Sequence, residues 1–221
     1  LIFTSSVAVY GLNKKNSNEN SEVDPFNHYG KSKLLAEEVI KNWYNEDVND
    51  KIISVIRPTV IFGENNKGNV YNLLKQIVSG RFLMIGNGRN KKSMAYVGNV
   101  VAFIKHRLIQ SECGYHVFNY VDKPDFSMND LVGHVQNKIG IKISKIKIPF
   151  WLGIFCGFIF DLLAIIFRKK MTISSIRVKK FCATSQFDAI KANKSFKAPF
   201  SLEEGLRNTL DYDFIKLNKR V

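Results

Sequence analysis

Tyr29-Gly30-Lys31-Ser32-Lys33 sets a phenol and an ammonium four residues apart, and that pair could do chemistry. On a helix, residues i and i+4 share a face one turn apart, so Tyr29 and Lys33 would be neighbours. A free phenol ionises near pH 10, and holding it substantially ionised near neutrality needs a shift of roughly 3 units, about 4 kcal/mol. One unit of positive charge about 4 Å away, at an effective dielectric of about 20, supplies an energy of that size. A phenol held in this way can take and return the proton of a hydroxyl substrate.

The elements that must position the pair can be read on either side of it. Phe3 to Tyr10 reads as a strand running into a turn at Gly11, and its Thr4-Ser5-Ser6 places small hydroxyl residues where open parallel sheets bind ligands. Asn13 to Asp24 is polar and reads as a surface loop. From Tyr29 to about Tyr44 the apolar spacing is helical. Ile52 to Ile56 and the following Arg57-Pro58-Thr59-Val60-Ile61-Phe62-Gly63 form an apolar, β-branched run suited to a sheet covered on both faces. The pattern then predicts a helix over Val70 to Val78, a strand end and helix over Met94 to Arg107, a strand over Tyr115 to Val121 and a helix over Met128 to Gly140. Ser201 with Glu204 three residues on is a capping box that opens a final helix. Strands alternating with helices define an α/β fold.

With 45% apolar residues the chain can bury a core, and low-complexity runs are absent. Lys and Arg number 33 against 19 Asp and Glu, a formal net charge of +14, which calls for an anionic partner such as a phosphate-bearing ligand, an acidic membrane or nucleic acid. No helix-turn-helix, zinc-finger or RNP signature is present, so nucleic acid is set aside. Cys113, Cys156 and Cys182 are odd in number and have no metal-ligand spacing, which argues against a disulfide framework and for a reducing compartment, and no metal site is expected. Leu1-Ile2-Phe3-Thr4 is already strand-like, so the sequence is expected to begin inside a strand of a longer protein.

The order strand, Ser5-Ser6-Val7-Ala8-Val9-Tyr10-Gly11, loop, Tyr29-Gly30-Lys31-Ser32-Lys33 resembles the extended short-chain dehydrogenases, the family of sugar epimerases and dehydratases. The resemblance continues through Arg57 to Gly63, through Gly86-Asn87-Gly88 leading to Tyr96-Val97, and through Leu202-Glu203-Glu204-Gly205-Leu206. It implies a truncated Rossmann-like, doubly wound parallel sheet with a smaller mixed α/β substrate domain. Residues 1–62 and 96–134 would be the carboxyl-terminal part of the NAD-binding domain, and 63–95 and 135–221 the substrate region. The Gly-rich dinucleotide loop is missing, so a fragment of this extent alone is expected to be inactive.

What the resemblance implies for the site follows residue by residue. Tyr29 would be the base and acid, Lys33 would bind the nicotinamide ribose and lower the tyrosine pKa, and Ser6 would hydrogen-bond the reacting sugar hydroxyl. Ser5 would be a structural neighbour. Main chain around Pro58, Thr59 and Val60 would pass the nicotinamide of NAD, and Asn69 and Val70 would contact substrate. Two positions depart from the pattern: Lys92-Ser93 stands where Arg-Asp is usual, replacing a bidentate phosphate clamp with a point charge, and Gly98-Asn99 stands for an Asp pair.

Ile148 to Phe167 is twenty residues with one charge, Asp161. Lys142, Lys145 and Lys147 precede it and Arg168, Lys169 and Lys170 follow it. A full crossing would separate Ser201 to Tyr212 from Tyr29. The segment is therefore read as a helix, broken or whole given Gly153 and Gly157, half buried and half dipped into a bilayer face, with a wholly internal helix as the alternative. Together with Phe3 to Lys14, Asp24 to Lys33 and Arg177-Val178-Lys179-Lys180-Phe181-Cys182-Ala183-Thr184, it is similar to the branch of the family that epimerises lipid-linked amino sugars at carbon 4 for surface polysaccharide. That implies a lipid-linked or nucleotide-linked sugar diphosphate as partner, with Lys92 and Arg177 among its cations. It also implies the cytoplasmic face of the inner membrane as location and a homodimer as assembly. The alternatives are a soluble nucleotide-sugar 4-epimerase or ketoreductase, and a catalytically silent NAD-fold protein.

Overall fold

A computed structural model describes residues 1–12, 16–48, 50–110, 112–144, 146–167 and 174–216. Lys14, Lys145, Arg168, Lys169 and Lys170, named above from the sequence, lie outside the described residues.

The chain forms two compact units. The first comprises Leu1–Tyr71, Ser93–Asp125 and Ser185–Val221, and the second Asn72–Lys92 and Phe126–Thr184. These boundaries differ from those drawn on the sequence, because the segment from Ser185 onward packs with the first unit. Phe187 and Ala189 enter the cluster of Val7, Val9, Tyr10 and Val121, while Ala192 joins that of Ile56, Phe103, Phe118 and Tyr120.

In the first unit β1 (Ile2–Thr4), β2 (Ile52–Pro58) and β6 (Gly114–Tyr120) form a parallel sheet in the order β1-β2-β6. Its register pairs Thr4 with Ile56 and Pro58 with Tyr120. The run predicted as one strand from Ile52 to Gly63 divides at Thr59. Its second part, β3 (Val60–Phe62), pairs in parallel with β5 (Lys91–Tyr96), and β7 (Asp122–Ser127) completes that sheet. The strand expected from Phe3 to Tyr10 is also shorter. After Thr4 the chain leaves the sheet, and Val7–Tyr10 is a 3-10 turn ended by Gly11 at φ 83°.

Helix α1 (His28–Glu46) follows that turn, and α3 (Val97–Leu108) runs on from β5. Helices α7 (Ile190–Ser195) and α8 (Leu202–Leu210) come late in the chain. The capping box at α8 forms as the sequence predicts, with Ser201 Oγ accepting from Glu204 N and Glu204 accepting from Ser201 N. A π-helical turn over Asp211–Lys216 continues from it. Helix α2 (Asn69–Val78) begins in the first unit and ends in the second.

The second unit holds the short parallel pair β4 (Met84–Ile85) and β8 (Lys147–Ile148), with α4 (Met128–Ile139), α5 (Phe150–Ile166) and α6 (Ser175–Cys182). Helix α5 is unbroken, and its two glycines are its packing face. A Cβ at Gly153 would lie 2.6 Å from Ile85, and one at Gly157 would lie 2.7 Å from the backbone of Ser175. Asp161 turns toward the same contact, its carboxylate accepting from Ser175 N at 3.1 Å and Ser175 Oγ at 2.6 Å. Among the described residues no helix is long and apolar enough to cross a membrane.

Candidate active site

Ser5 N still donates to Ile56 O at 2.7 Å, but Ser6 turns away from the sheet and its Oγ accepts from Ala8 N at 3.2 Å, capping the 3-10 turn. A short polar cap at a strand's end is why these hydroxyls close the strand instead of extending it. Helix α1 is started by Asn27, whose Oδ1 accepts from Gly30 N at 2.8 Å. Its first turn presses on the 3-10 turn, because a Cβ at position 30 would stand 2.5 Å from the Ala8 carbonyl oxygen. Only glycine permits that approach.

This contact brings Tyr29 and Lys33 to the end of β1. Lys33 Nζ donates to Thr4 O at 2.9 Å and lies 5.9 Å from the centre of the Tyr29 ring and 5.1 Å from that of Phe3. Tyr29 as a whole is 56% exposed. Ser6 follows the Lys33-bonded residue by two positions. Lys33 and Tyr29 are therefore neighbours at the end of β1, two residues along the chain from Ser6.

Pro58, Thr59 and Val60 lie where β2 passes into β3. Thr59 N donates to Tyr120 O at 3.1 Å, Val60 is 40% exposed, and the buried Thr59 Oγ1 has no hydrogen-bond partner among the described residues. A buried hydroxyl without a partner is uncommon and fits a bound group with polar atoms. Asn69 is exposed at the start of α2, whereas the Val70 side chain is buried, which leaves only its main chain to meet a ligand. Lys92 and Arg177 belong to the second unit. Lys92 Nζ donates to Lys180 O at 2.8 Å, and burial pulls its pKa below the ordinary value, against the opposing influence of Cys182. Arg177 sits exposed in the first turn of α6.

The positions that depart from the family pattern have structural work. Ser93 is buried, its Oγ donating to Asp125 at 2.7 Å and accepting from Phe187 N at 3.1 Å. Asn99 is wholly buried and exchanges two hydrogen bonds with the backbone of Phe200.

A buried polar chain behind the site was not singled out from the sequence. Glu37 receives Arg57 through Nε at 2.9 Å and Nη2 at 2.5 Å, and also the Ser5 hydroxyl. Arg57 Nη1 donates to the Tyr10 phenol at 2.8 Å, which donates to Asn119 Oδ1 at 2.8 Å. Burial pushes the Tyr10 phenol up. Burial also opposes the Arg57 charge, but hydrogen bonding to Glu37 and the neighbouring charges outweigh it and hold the guanidinium above its ordinary value. The signal available beforehand was spacing alone, since Glu37 is four residues beyond Lys33 and eight beyond Tyr29.

The sequence profile of the 3-beta hydroxysteroid dehydrogenase/isomerase family matches residues 1–150, and the chain belongs to that family. The chain is 57% identical over 220 residues to the N-acetyl-alpha-D-glucosaminyl-diphospho-ditrans,octacis-undecaprenol 4-epimerase of Escherichia coli O157:H7, covering 99% of this chain and 66% of that protein. It is 26% identical over 229 residues to the UDP-glucose 4-epimerase of Vibrio cholerae, covering 99% and 64%. The crystal structure of UDP-glucuronic acid 4-epimerase from Bacillus cereus in complex with NAD superposes with a TM-score of 0.70 at 19% identity, over 98% of this chain and 61% of that one. The parallel α/β fold is thus the Rossmann-like fold of these epimerases. The chain spans a little under two thirds of the length of these relatives.

Proposed function

We propose that the chain carries the catalytic groups of an NAD-dependent 4-epimerase acting on a lipid-linked amino sugar. The substrate in this reading is N-acetylglucosaminyl-diphospho-undecaprenol, converted to its N-acetylgalactosamine form for O-antigen assembly. The observation that carries it is the Lys33 ammonium bonded to Thr4 O beside the Tyr29 ring, two residues from Ser6. The choice of substrate rests on 57% identity to the enzyme of Escherichia coli O157:H7.

In this mechanism the Tyr29 phenolate takes the proton of the hydroxyl at carbon 4 and later returns it. Lys33 holds the phenolate charge, and Ser6 donates to the substrate oxygen, a contact of the kind that contributes a few kcal/mol. Bound NAD would supply reversible hydride chemistry at carbon 4 without net consumption. Lys33 and the stretch Pro58, Thr59 and Val60 would hold its nicotinamide end, with the unpartnered Thr59 hydroxyl as the fitting donor. The first unit would serve the cofactor and the proton transfer. Lys92 and Arg177 are the candidate diphosphate ligands in this reading. Asn69 and the main chain of Val70 would contact the sugar.

The reading also places the protein on the cytoplasmic face of the inner membrane, as a peripheral or monotopic protein. Helix α5 supports this, because Trp151, Phe155, Phe158, Leu162, Ile165 and Ile166 are all exposed while its one charge, Asp161, is tied to Ser175. Association into homodimers belongs to the same proposal and is read by sedimentation.

The test is product analysis with the full-length gene product on lipid-linked and nucleotide-linked N-acetylglucosamine. Interconversion of the lipid-linked sugar is expected, with Tyr29→Phe reducing it at least a hundredfold. Turnover of the nucleotide-linked sugar alone would replace this substrate with that of the Vibrio cholerae relative's class. Full activity in Tyr29→Phe would remove the mechanism.

A further inference from the structure

Helix α1 runs for 19 residues, yet only Gly30 and Glu37 in it are buried. A helix is usually seated on a sheet by an apolar stripe, which tolerates small shifts along its axis. Here Leu34 reaches the core only in part, and the deepest side chain is a carboxylate. Glu37 continues the face of Tyr29 and Lys33 at the i, i+4, i+8 spacing.

The partners of that carboxylate come from the elements that make the site. Ser5, which donates to it, is the residue before Ser6. Arg57, which clamps it through two nitrogens at 2.9 and 2.5 Å, is the residue before Pro58 and two before Thr59. The third donor of the guanidinium goes to Tyr10, at the end of the turn that Ser6 begins, and Tyr10 passes the chain to Asn119 on β6. One ion pair therefore joins the ends of β1 and β2, the 3-10 turn and the catalytic helix face. A bidentate guanidinium and carboxylate pair has one geometry, so a slide of α1 would break it.

We propose that Glu37 is a positioning residue: paired with Arg57 and Ser5, it sets the register of α1 so that Tyr29 and Lys33 meet the hydroxyl of Ser6. This rests on the tyrosine mechanism above but not on the identity of the sugar carrier, so it holds equally for a lipid-linked or a nucleotide-linked substrate. The alternative is a pair that serves only to stabilise the fold.

The two roles separate because breaking a buried ion pair leaves an uncompensated charge, whereas replacing both members with apolar residues is often neutral for stability. The experiment compares Glu37→Gln, the double variant Glu37→Met with Arg57→Met, and Ser5→Ala in the full-length gene product. Each is measured by thermal melting and by the pH profile of kcat, on whichever sugar diphosphate the parent turns over. Glu37→Gln is expected to melt early. The double variant is expected to regain the parental melting temperature while kcat stays at least tenfold down, KM changes less than threefold and the limbs of the pH profile move. A stable double variant with parental kcat and pH profile overturns the proposal. If the double variant does not fold, Ser5→Ala decides, since it removes one hydroxyl and leaves the pair intact. A several-fold loss of kcat with a displaced pH profile supports the proposal, and unchanged kinetics overturn it. An inactive parent whose Tyr29 and Lys33 are intact would instead overturn the proposed mechanism.

Discussion

Replacing Asp161 with alanine tests how the apolar helix is held. The Asp161 carboxylate accepts from the backbone N of Ser175 at 3.1 Å and from its hydroxyl at 2.6 Å, at the first residue of α6. A helix's first amides lack partners within the helix, and a negative charge there also meets the positive end of its dipole. Hydrogen bonds to charged groups contribute about 1.5–3 kcal/mol each when buried, and the partial exposure of Asp161 discounts each bond below that range, to about 2–3 kcal/mol for the two together. At about 2–4 °C per kcal/mol for a chain of this size, Asp161→Ala should lower the melting midpoint by about 4–12 °C. Circular dichroism would give the midpoint, and hydrogen exchange of the α6 amides would show the loss locally. Asp161→Asn keeps an acceptor and should cost about half as much. An alanine variant that melts with the parent, with α6 amides exchanging no faster, would refute the view that Asp161 anchors α6. It would return that side chain to the role of a stray charge on an apolar surface.

Gly30→Ala should keep the secondary structure but reduce turnover more than tenfold, because a Cβ 2.5 Å from the Ala8 carbonyl must push the Tyr29 turn off its seat. A fully active variant would contradict that contact. With Trp43→Phe leaving Trp151 as the single tryptophan, emission should shift to the blue on adding phosphatidylglycerol vesicles, and an unmoved spectrum would remove the membrane reading. Hydrogen bonds from the Ser127 and Ser201 caps hold the Asp130 and Glu204 carboxyls below their usual range. The contribution of these two caps is present above the ordinary carboxylate values and is lost as pH falls through the depressed ones. Burial instead pushes Asp122 up, so its contribution is present at low pH and fades as pH rises through the raised value. Acid titrations of Ser127→Ala, Ser201→Ala and Asp122→Asn should separate the two signs, the first two variants flattening the acid limb and the third flattening the rise-dependent loss.

Much of the candidate site was legible because its spacing is local. Tyr29 and Lys33 lie on one helical turn, and the Ser201-Glu204 cap is fixed by contacts three residues apart. The alternation of strands and helices, the helices over 69–78 and 128–139, and the apolar character of α5 follow from periodicity that any solvent-exposed chain of this composition must respect. Local pattern failed where a side chain competed with the backbone. Ser6 capping Ala8 turned an expected strand into a 3-10 turn, and the run from Ile52 to Gly63 split at Thr59 because its two parts pair with different partners.

Residue types and their short-range order determined that a phenol and an amine share one helical turn after a strand that ends in hydroxyl residues, and that one segment is too apolar to be wholly solvated. Only the tertiary structure decided what holds them. Glu37 reads as one more exposed helical carboxylate until Arg57, Ser5 and Tyr10 arrive from three other elements. Asp161 reads as a flaw in an apolar run until Ser175 closes on it. In both cases the energy of a charge depends on whether water or a fixed donor surrounds it, and that is set by residues distant in sequence.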